Sequence, residues 1–312
     1  MNVLVTGASG FIGAALCHEL LARGHAVRAA IRRPDDQRSL PQKLHTAVIP
    51  DIAGEFDRRA LLGEIDAVVH LAGIAHRAAD EAEIRRVNID AAVRLAEAAA
   101  GAARRFVFLS SVKVHGEDSG SGAYRESSLL LPQDVYGKSK LDAERALTEL
   151  AGRNGMELVI VRPPLVYGPG VKANFRRLLG WIDAGRPLPF ASVHNRRSLI
   201  SLGNLIDVIA RCIEHPRALG PYLVSDEEIV STPELAERIA RALGRKARLF
   251  PVPLALLRIA ASAIGRGGEI RRLTGNLVVD ATHARRALDW RPRLSLDQGL
   301  EETARWYKSA RG

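Results

Sequence analysis

The 312-residue sequence predicts an α/β fold, a doubly wound parallel sheet followed by a smaller C-terminal α/β domain. Two observations predict it. From residue 2 to about 162, short apolar runs without polar alternation recur between helical patterns, the rhythm of strands buried on both faces and joined by right-handed crossovers. After Arg162 the texture changes: Pro163, Pro164, Pro169, Pro187 and Pro189 cluster among glycines, and several short helical patterns follow.

Taken in order, the strands are expected at residues 3–5, 26–31, 47–49, 67–71, 106–109 and 158–161. The clearest helices between them span 10–22, 81–100 and 136–153. Leu95 and the surrounding alanines give the second of these a small-residue face, suited either to a dimer seam or to covering the sheet. The expected division is a dinucleotide-binding domain over 1–165 with a return segment at 200–226, and a substrate domain made of 166–199 and 227–312.

Composition narrows the class. The hydrophobic content of 47% is that of a folded globular chain. Forty-five Lys and Arg against 35 Asp and Glu leave a net charge of +10, but the arginines are dispersed without a basic run, which argues against nucleic acid as a partner. Cys17 and Cys212, the only cysteines, both fall in helical patterns, so neither a disulfide framework nor a zinc site is expected. The first apolar run leads straight into a glycine loop, leaving no room for a signal peptide. The longest apolar stretch, residues 254–264, is interrupted by Arg258 and is too short to span a bilayer. A cytoplasmic protein without membrane insertion is expected.

Gly7-Ala8-Ser9-Gly10-Phe11-Ile12-Gly13 follows the first strand and opens a helix, the context a dinucleotide fingerprint requires. Gly7 allows the tight turn, Gly10 lets backbone N–H groups approach a pyrophosphate, and Gly13 lets helix and strand touch. The choice of dinucleotide falls at the end of the second strand, where Arg32-Arg33 stand and no carboxylate precedes Asp35. A 2′-phosphate would suit these arginines, so NADP(H) is favoured over NAD(H). Asp51-Ile52, after the third strand, is placed to flank the adenine.

Tyr136 is the one tyrosine followed by a lysine four residues on. In a helix this puts the phenol and the Lys140 ammonium on one face, where the charge can lower the phenol's pKa and allow proton exchange with a carbonyl or alcohol. Ser110-Ser111 ends the fifth strand at the carboxyl edge of the sheet, where ligands of such folds bind.

With these motifs together, the chain resembles the extended short-chain dehydrogenases of the nucleotide-sugar epimerase, dehydratase and reductase group, which have a Rossmann fold. The resemblance runs through Thr6 to Gly13, His70-Leu71-Ala72-Gly73, Asn88, Leu109-Ser110-Ser111, Tyr136 to Lys140, and Arg162 to Gly170. It implies that Ser111 hydrogen-bonds the reacting oxygen, Tyr136 is the general acid or base, and Lys140 binds the nicotinamide ribose. It also implies that Gly7, Ser9, Gly10, Phe11, Ile12, Gly13, Leu71, Ala72, Gly73, Asn88 and Pro163 line the cofactor site. A UDP-sugar substrate follows, held in the second domain, where Lys172, Asn174, Asn195, Arg197, Asn204 and Arg271-Arg272 occupy the family's nucleotide positions; Asn174, Arg197 and Arg272 are the leading candidates. A homodimer through the helices at 81–100 and 136–153 is the family expectation.

Gly73 replaces the commoner alanine, and His115 stands where many relatives have tyrosine. His115 is expected to be a satisfied surface residue. Val112-Lys113 stands where dehydratases carry an Asp-Glu acid–base pair, which argues against dehydration. With Arg32 and Arg33 pointing to NADPH, the leading expectation is reduction of a UDP-linked 4-keto-6-deoxy-N-acetylhexosamine at carbon 4, as in the reductases that make UDP-N-acetylquinovosamine. The alternative is an NAD-dependent UDP-sugar 4-epimerase, and a third reading is a cofactor-sensing protein without catalysis.

Overall fold

A computed structural model of the chain describes residues 1–75, 79–263 and 265–311, and the side chains of all of these except 38 and 39. Its first half alternates β1 (Asn2–Thr6), α1 (Phe11–Ala22), β2 (Ala26–Ile31), β3 (His45–Val48), α2 (Arg58–Leu62), β4 (Ala67–His70), α3 (Glu81–Arg85), α4 (Ala91–Ala99), β5 (Arg105–Leu109), α5 (Val135–Asn154) and β6 (Glu157–Arg162). The second half contains β7 (Leu165–Tyr167), α6 (Ala173–Asp183), β8 (Arg197–Ser201), α7 (Leu202–Glu214), β9 (Gly220–Leu223), β10 (Ile229–Val230), α8 (Thr232–Ala242), α9 (Leu254–Ala263), α10 (Gly267–Thr274), α11 (Thr282–Ala287) and α12 (Leu296–Ser309).

Seven strands form a parallel sheet in the order β3-β2-β1-β4-β5-β6-β9. Val3 pairs with Val27 on one side and Ala67 on the other. Val3, Leu4 and Val5 are fully buried because a sheet covered on both faces has no polar side to show. Against one face pack Leu16, Cys17 and Leu20 of α1 with Leu205, Val208 and Ile209 of α7. Against the other pack Leu61 and Leu62 of α2, Leu95 and Ala96 of α4, and Ala143 and Leu147 of α5. The chain leaves this sheet after β6, returns through α7 and β9 beside β6, and leaves again.

The smaller assembly has a three-stranded sheet, β10-β8-β7, in which β8 runs parallel to β7 and antiparallel to β10. Its core joins Phe175 and Leu179 of α6, Leu235 and Ile239 of α8, and Leu300 and Ala304 of α12. These α6, α8 and α12 stripes repeat at three or four residues, the helical period that presents one face to a core.

The structure changes two sequence expectations and decides two more. The helix expected over 81–100 is divided: α3 gives way to a π-helical turn, Arg86–Asp90, before α4. Such a turn inserts one residue into the helical register, and here it carries the fully buried Asn88. The alanines of α4 cover their own sheet: Ala91, Ala92, Ala96 and Ala99 are fully buried within the chain, so they do not form a dimer seam. His115 is 2% exposed, not a surface residue. The apolar run at 254–264 becomes α9, which buries Leu257 and Ala261; Ile264 lies outside the described residues. Among the described residues no helix is long and apolar enough to cross a membrane.

Candidate active site

The site assembles at the carboxyl ends of β1, β4 and β5, where the three strands release loops on the same edge. Gly7 has φ +67°, and a Cβ there would lie 2.8 Å from the Ala72 nitrogen. At Gly13 a Cβ would lie 2.2 Å from the Gly7 carbonyl oxygen, so helix and loop close only around hydrogen. The Gly10 N–H donates to the Gly7 carbonyl at 3.0 Å, and Gly10 begins α1 without a side-chain cap. The first turn of α1 thus keeps backbone donors for an anion beside Ser9, Phe11 and Ile12. Phe11 also reaches toward Gly170 of the loop after β7, where an added Cβ would lie 3.2 Å from its ring.

Leu71, Ala72 and Gly73 follow β4. Asn88 fastens this loop to α5: its Oδ1 accepts the Ile74 N–H at 2.7 Å, and its Nδ2 donates to the Ile74 carbonyl at 3.1 Å and to Ser139 Oγ at 2.9 Å. Ser139 in turn donates to the Tyr136 carbonyl at 2.8 Å. A Cβ on Gly73 would sit 3.1 Å from Asn88 Oδ1 and 3.5 Å from Lys140 Nζ, so the missing methyl leaves room against the lysine. His70 is fully buried, stacked on Phe108, with Nδ1 2.8 Å from Thr6 Oγ1. Burial, aided by the Lys140 charge, pulls its pKa down to about 3.

The two serines after β5 part company. Ser110 is buried and its Oγ has no partner among the described residues. Ser111 caps a short turn, accepts the Lys113 N–H at 3.3 Å, and stands near enough to the Tyr136 phenol to favour its ionised form. Val112 N–H donates to the Pro163 carbonyl at 2.9 Å, joining this turn to the end of β6.

Tyr136 lies in the first turn of α5, whose N-cap is Asp134. Burial first and the Asp134 carboxylate second push the phenol up to about 12, against the Ser111 hydroxyl. The sequence expectation that Lys140 lowers it is corrected here. Lys140 Nζ donates instead to the Leu109 carbonyl at 2.8 Å and lies 4.5 Å from the Phe108 ring centroid. Burial brings the Lys140 ammonium down to about 8, with Glu144 opposing.

Other candidates are placed as follows. Arg33 is 78% exposed and pairs with Asp36 at 3.5 Å, and Arg32 is exposed beside it. Asp51 pairs with Arg86, and Ile52 packs on the α2 and α4 core. Asn174 is exposed at the start of α6, next to Ala173 in a left-handed conformation at φ +51°, uncommon for a residue with a side chain. Arg197 donates to the Gly275 carbonyl at 3.0 Å, and Arg272 faces Glu117 at 3.5 Å. A cleft of about 420 Å³ is lined by Glu117, Asp118, Gln133, Arg258, Arg271, Arg272 and Gly275. Asn195 and Asn204 are spent on the scaffold: the first holds Thr232 and the Leu273 and Gly275 carbonyls, the second Asp226 and the Leu294 carbonyl. Sequence reasoning missed Asp134 and Glu144, whose spacing carries no motif, and gave Arg162 no role beyond its place in the Arg162 to Gly170 motif.

A glycine-cradled helix terminus beside a serine, a tyrosine and a lysine defines a dinucleotide-dependent enzyme of the short-chain dehydrogenase type. The chain belongs to the NAD dependent epimerase/dehydratase family, whose model matches residues 3–224. It is 39% identical to a UDP-glucose 4-epimerase of Vibrio cholerae, over 99% of this chain and 96% of that protein. Among solved structures, it is similar to UDP-glucuronic acid 4-epimerase of Bacillus cereus in complex with UDP-glucuronic acid and NAD: 25% identity, TM-score 0.81, covering 99% of this chain and 100% of that one. MoeE5 in complex with UDP-glucuronic acid and NAD is 26% identical, with a TM-score of 0.80 and coverage of 99% and 100%.

Proposed function

We propose that the chain is an NAD-dependent UDP-sugar 4-epimerase acting on substrates of the UDP-glucose or UDP-N-acetylglucosamine type. The observation that carries this reading is the 39% identity to a UDP-glucose 4-epimerase along nearly the whole of both chains. It displaces net reduction of a 4-keto sugar as the leading reading. That expectation rested on Arg32 and Arg33 selecting NADPH, and Arg33 is engaged with Asp36 while the solved relatives hold NAD.

The residues fit the dinucleotide: at Gly7 and Gly13 strand, loop and helix close to distances that a Cβ would not allow, and the first turn of α1 so placed offers uncapped donors. Gly7 to Gly13 would hold the pyrophosphate, Asp51 and Ile52 the adenine, and Lys140 the nicotinamide ribose. When bound, the nicotinamide supplies hydride acceptance and return at sugar carbon 4. Tyr136 takes the proton of the 4-hydroxyl and gives it back to the 4-keto oxygen, while Ser111 hydrogen-bonds that oxygen. A phenol at about 12 is a poor catalyst near neutrality, and the neighbouring group that brings it down is the Ser111 hydroxyl. Arg197, Arg272 and Asn174 would hold the nucleotide, with the arginines suited to the diphosphate. A homodimer through α4 and α5 would use their outer faces, and light scattering tests it.

The test is incubation with UDP-glucose, UDP-N-acetylglucosamine and UDP-glucuronic acid without added reductant, followed by NMR. The expected product is the carbon-4 epimer without net cofactor consumption. Stoichiometric NADPH oxidation on a 4-keto sugar, with no epimer formed, would overturn the reading in favour of the reductase.

A further inference from the structure

Lys113 stands where dehydratases carry an acidic residue, and the structure gives it other partners. Its backbone N–H donates to the Ser111 hydroxyl at 3.3 Å. Its Nζ bonds Glu117 Oε1 at 2.8 Å and also bonds Asp134, the N-cap of the helix that carries Tyr136. Asp134 Oδ1 accepts the Gly137 N–H at 2.7 Å, so the same carboxylate fixes the helical turn containing the tyrosine. Glu117 continues the chain to Arg272 of α10 at 3.5 Å. Lys113 thus stands between two carboxylates, one beside the phenol and one on the wall of the cleft, and the Lys113 side chain is only 25% exposed.

We propose that Lys113 is a positioning residue for Tyr136, neutralising Asp134 beside the phenol and Glu117 at the cleft so that the catalytic helix and an anionic substrate can meet. The inference rests on the reading of Tyr136 as the acid–base group. Without the ammonium, Asp134 would face the phenol uncompensated and hold its proton more tightly, and Glu117 would repel a diphosphate approaching Arg272. The other group bearing on the phenol is the Ser111 hydroxyl from the turn after β5; Lys140, farther along the same helix, is raised by Glu144 and itself lowers His70. Aspartate's capping role alone would not require a lysine, since its bond to Gly137 needs no counter-ion.

The experiment is ¹³C NMR of protein labelled at tyrosine Cζ, with NAD added, titrated with pH in the wild type, Lys113→Met and Lys113→Arg. The Tyr136 signal is assigned by its loss in Tyr136→Phe. The phenol midpoint is expected to rise by about half a pH unit or more in Lys113→Met, corresponding to roughly threefold less phenolate, and to return in Lys113→Arg. A midpoint unchanged in Lys113→Met, or raised equally in Lys113→Arg, would overturn the proposal. The titration needs no substrate, so its outcome is separate from the epimerase assay. With an active substrate, Lys113→Met should in addition raise KM and move the kcat profile to higher pH, a split that loss of helix capping alone would not give.

Discussion

Glu144→Gln probes the buried charge beneath the catalytic helix. Glu144 and Arg162 have side chains 4% and 5% exposed, and the guanidinium donates to the carboxylate at 3.0 and 2.6 Å. Arg162 Nη1 also donates to His115 Nε2 at 3.1 Å, which leaves the other ring nitrogen, Nδ1, to donate to the Leu129 carbonyl at 3.2 Å. Removing the carboxylate charge leaves a guanidinium buried beside a neutral ring and an amide. Breaking a buried pair from one side costs about 3–5 kcal/mol. With an unfolding entropy of about 2.1 cal/mol/K per residue over 312 residues, this is a fall in Tm of roughly 5–8 °C. Differential scanning calorimetry of Glu144→Gln, Arg162→Met and the double variant measures it. The double variant should lose less than the sum of the singles, because it leaves no unpaired charge. Since Glu144 also supports the Lys140 ammonium, the single variant should move any activity that depends on that ammonium to lower pH. A Tm within about 2 °C of wild type, or strictly additive losses, would refute the argument that the pair is buried and coupled.

Four further outcomes are expected. Gly13→Ala, which sets a Cβ 2.2 Å from the Gly7 oxygen, should weaken NAD binding at least about tenfold in a fluorescence titration, a loss of about 1.4 kcal/mol or more. Tyr136→Phe should lower kcat by about 10²–10⁴ with KM and Tm little changed; near-normal turnover would remove the acid–base role. Burial keeps His70 neutral, and burial with the Arg162 charge lowers His115, so the unfolded chain binds protons there first. Stability measured by urea unfolding should therefore fall as pH drops from about 6.5 toward 3, and His70→Asn should flatten that fall. Arg33→Ala should change NAD affinity by less than about fivefold, because an exposed guanidinium paired with Asp36 contributes little; a larger loss would restore this side chain to the cofactor site.

The parts of the site visible in the sequence are those with short-range geometry. A glycine triplet after a strand and a tyrosine four residues before a lysine are local spacings, and backbone sterics or helix period convert them directly into placement. The reversed expectations turn on partners that no motif announces, one of them local and the others distant in the chain. Arg33 looked free for a phosphate, yet its neighbour Asp36 folds back through a 3₁₀ turn. His115 read as a surface residue, yet it stacks on Tyr124 at 5.3 Å and meets Arg162, 47 positions away. Asn195 and Asn204 matched nucleotide positions, but their side-chain hydrogen bonds are taken by segments 22 to 90 residues distant.

Strand rhythm, apolar runs and the glycine loop were enough to determine the parallel sheet and the carboxyl edge where the site forms, because burial on both faces admits few other patterns. Tertiary structure alone decided how each polar group is used. Ser110 is left without a side-chain partner among the described residues, Lys140 turns to the Leu109 carbonyl, and Lys113 joins Asp134 to Glu117. The physical reason is that burial and charge proximity depend on every element around a group, and no local spacing encodes them.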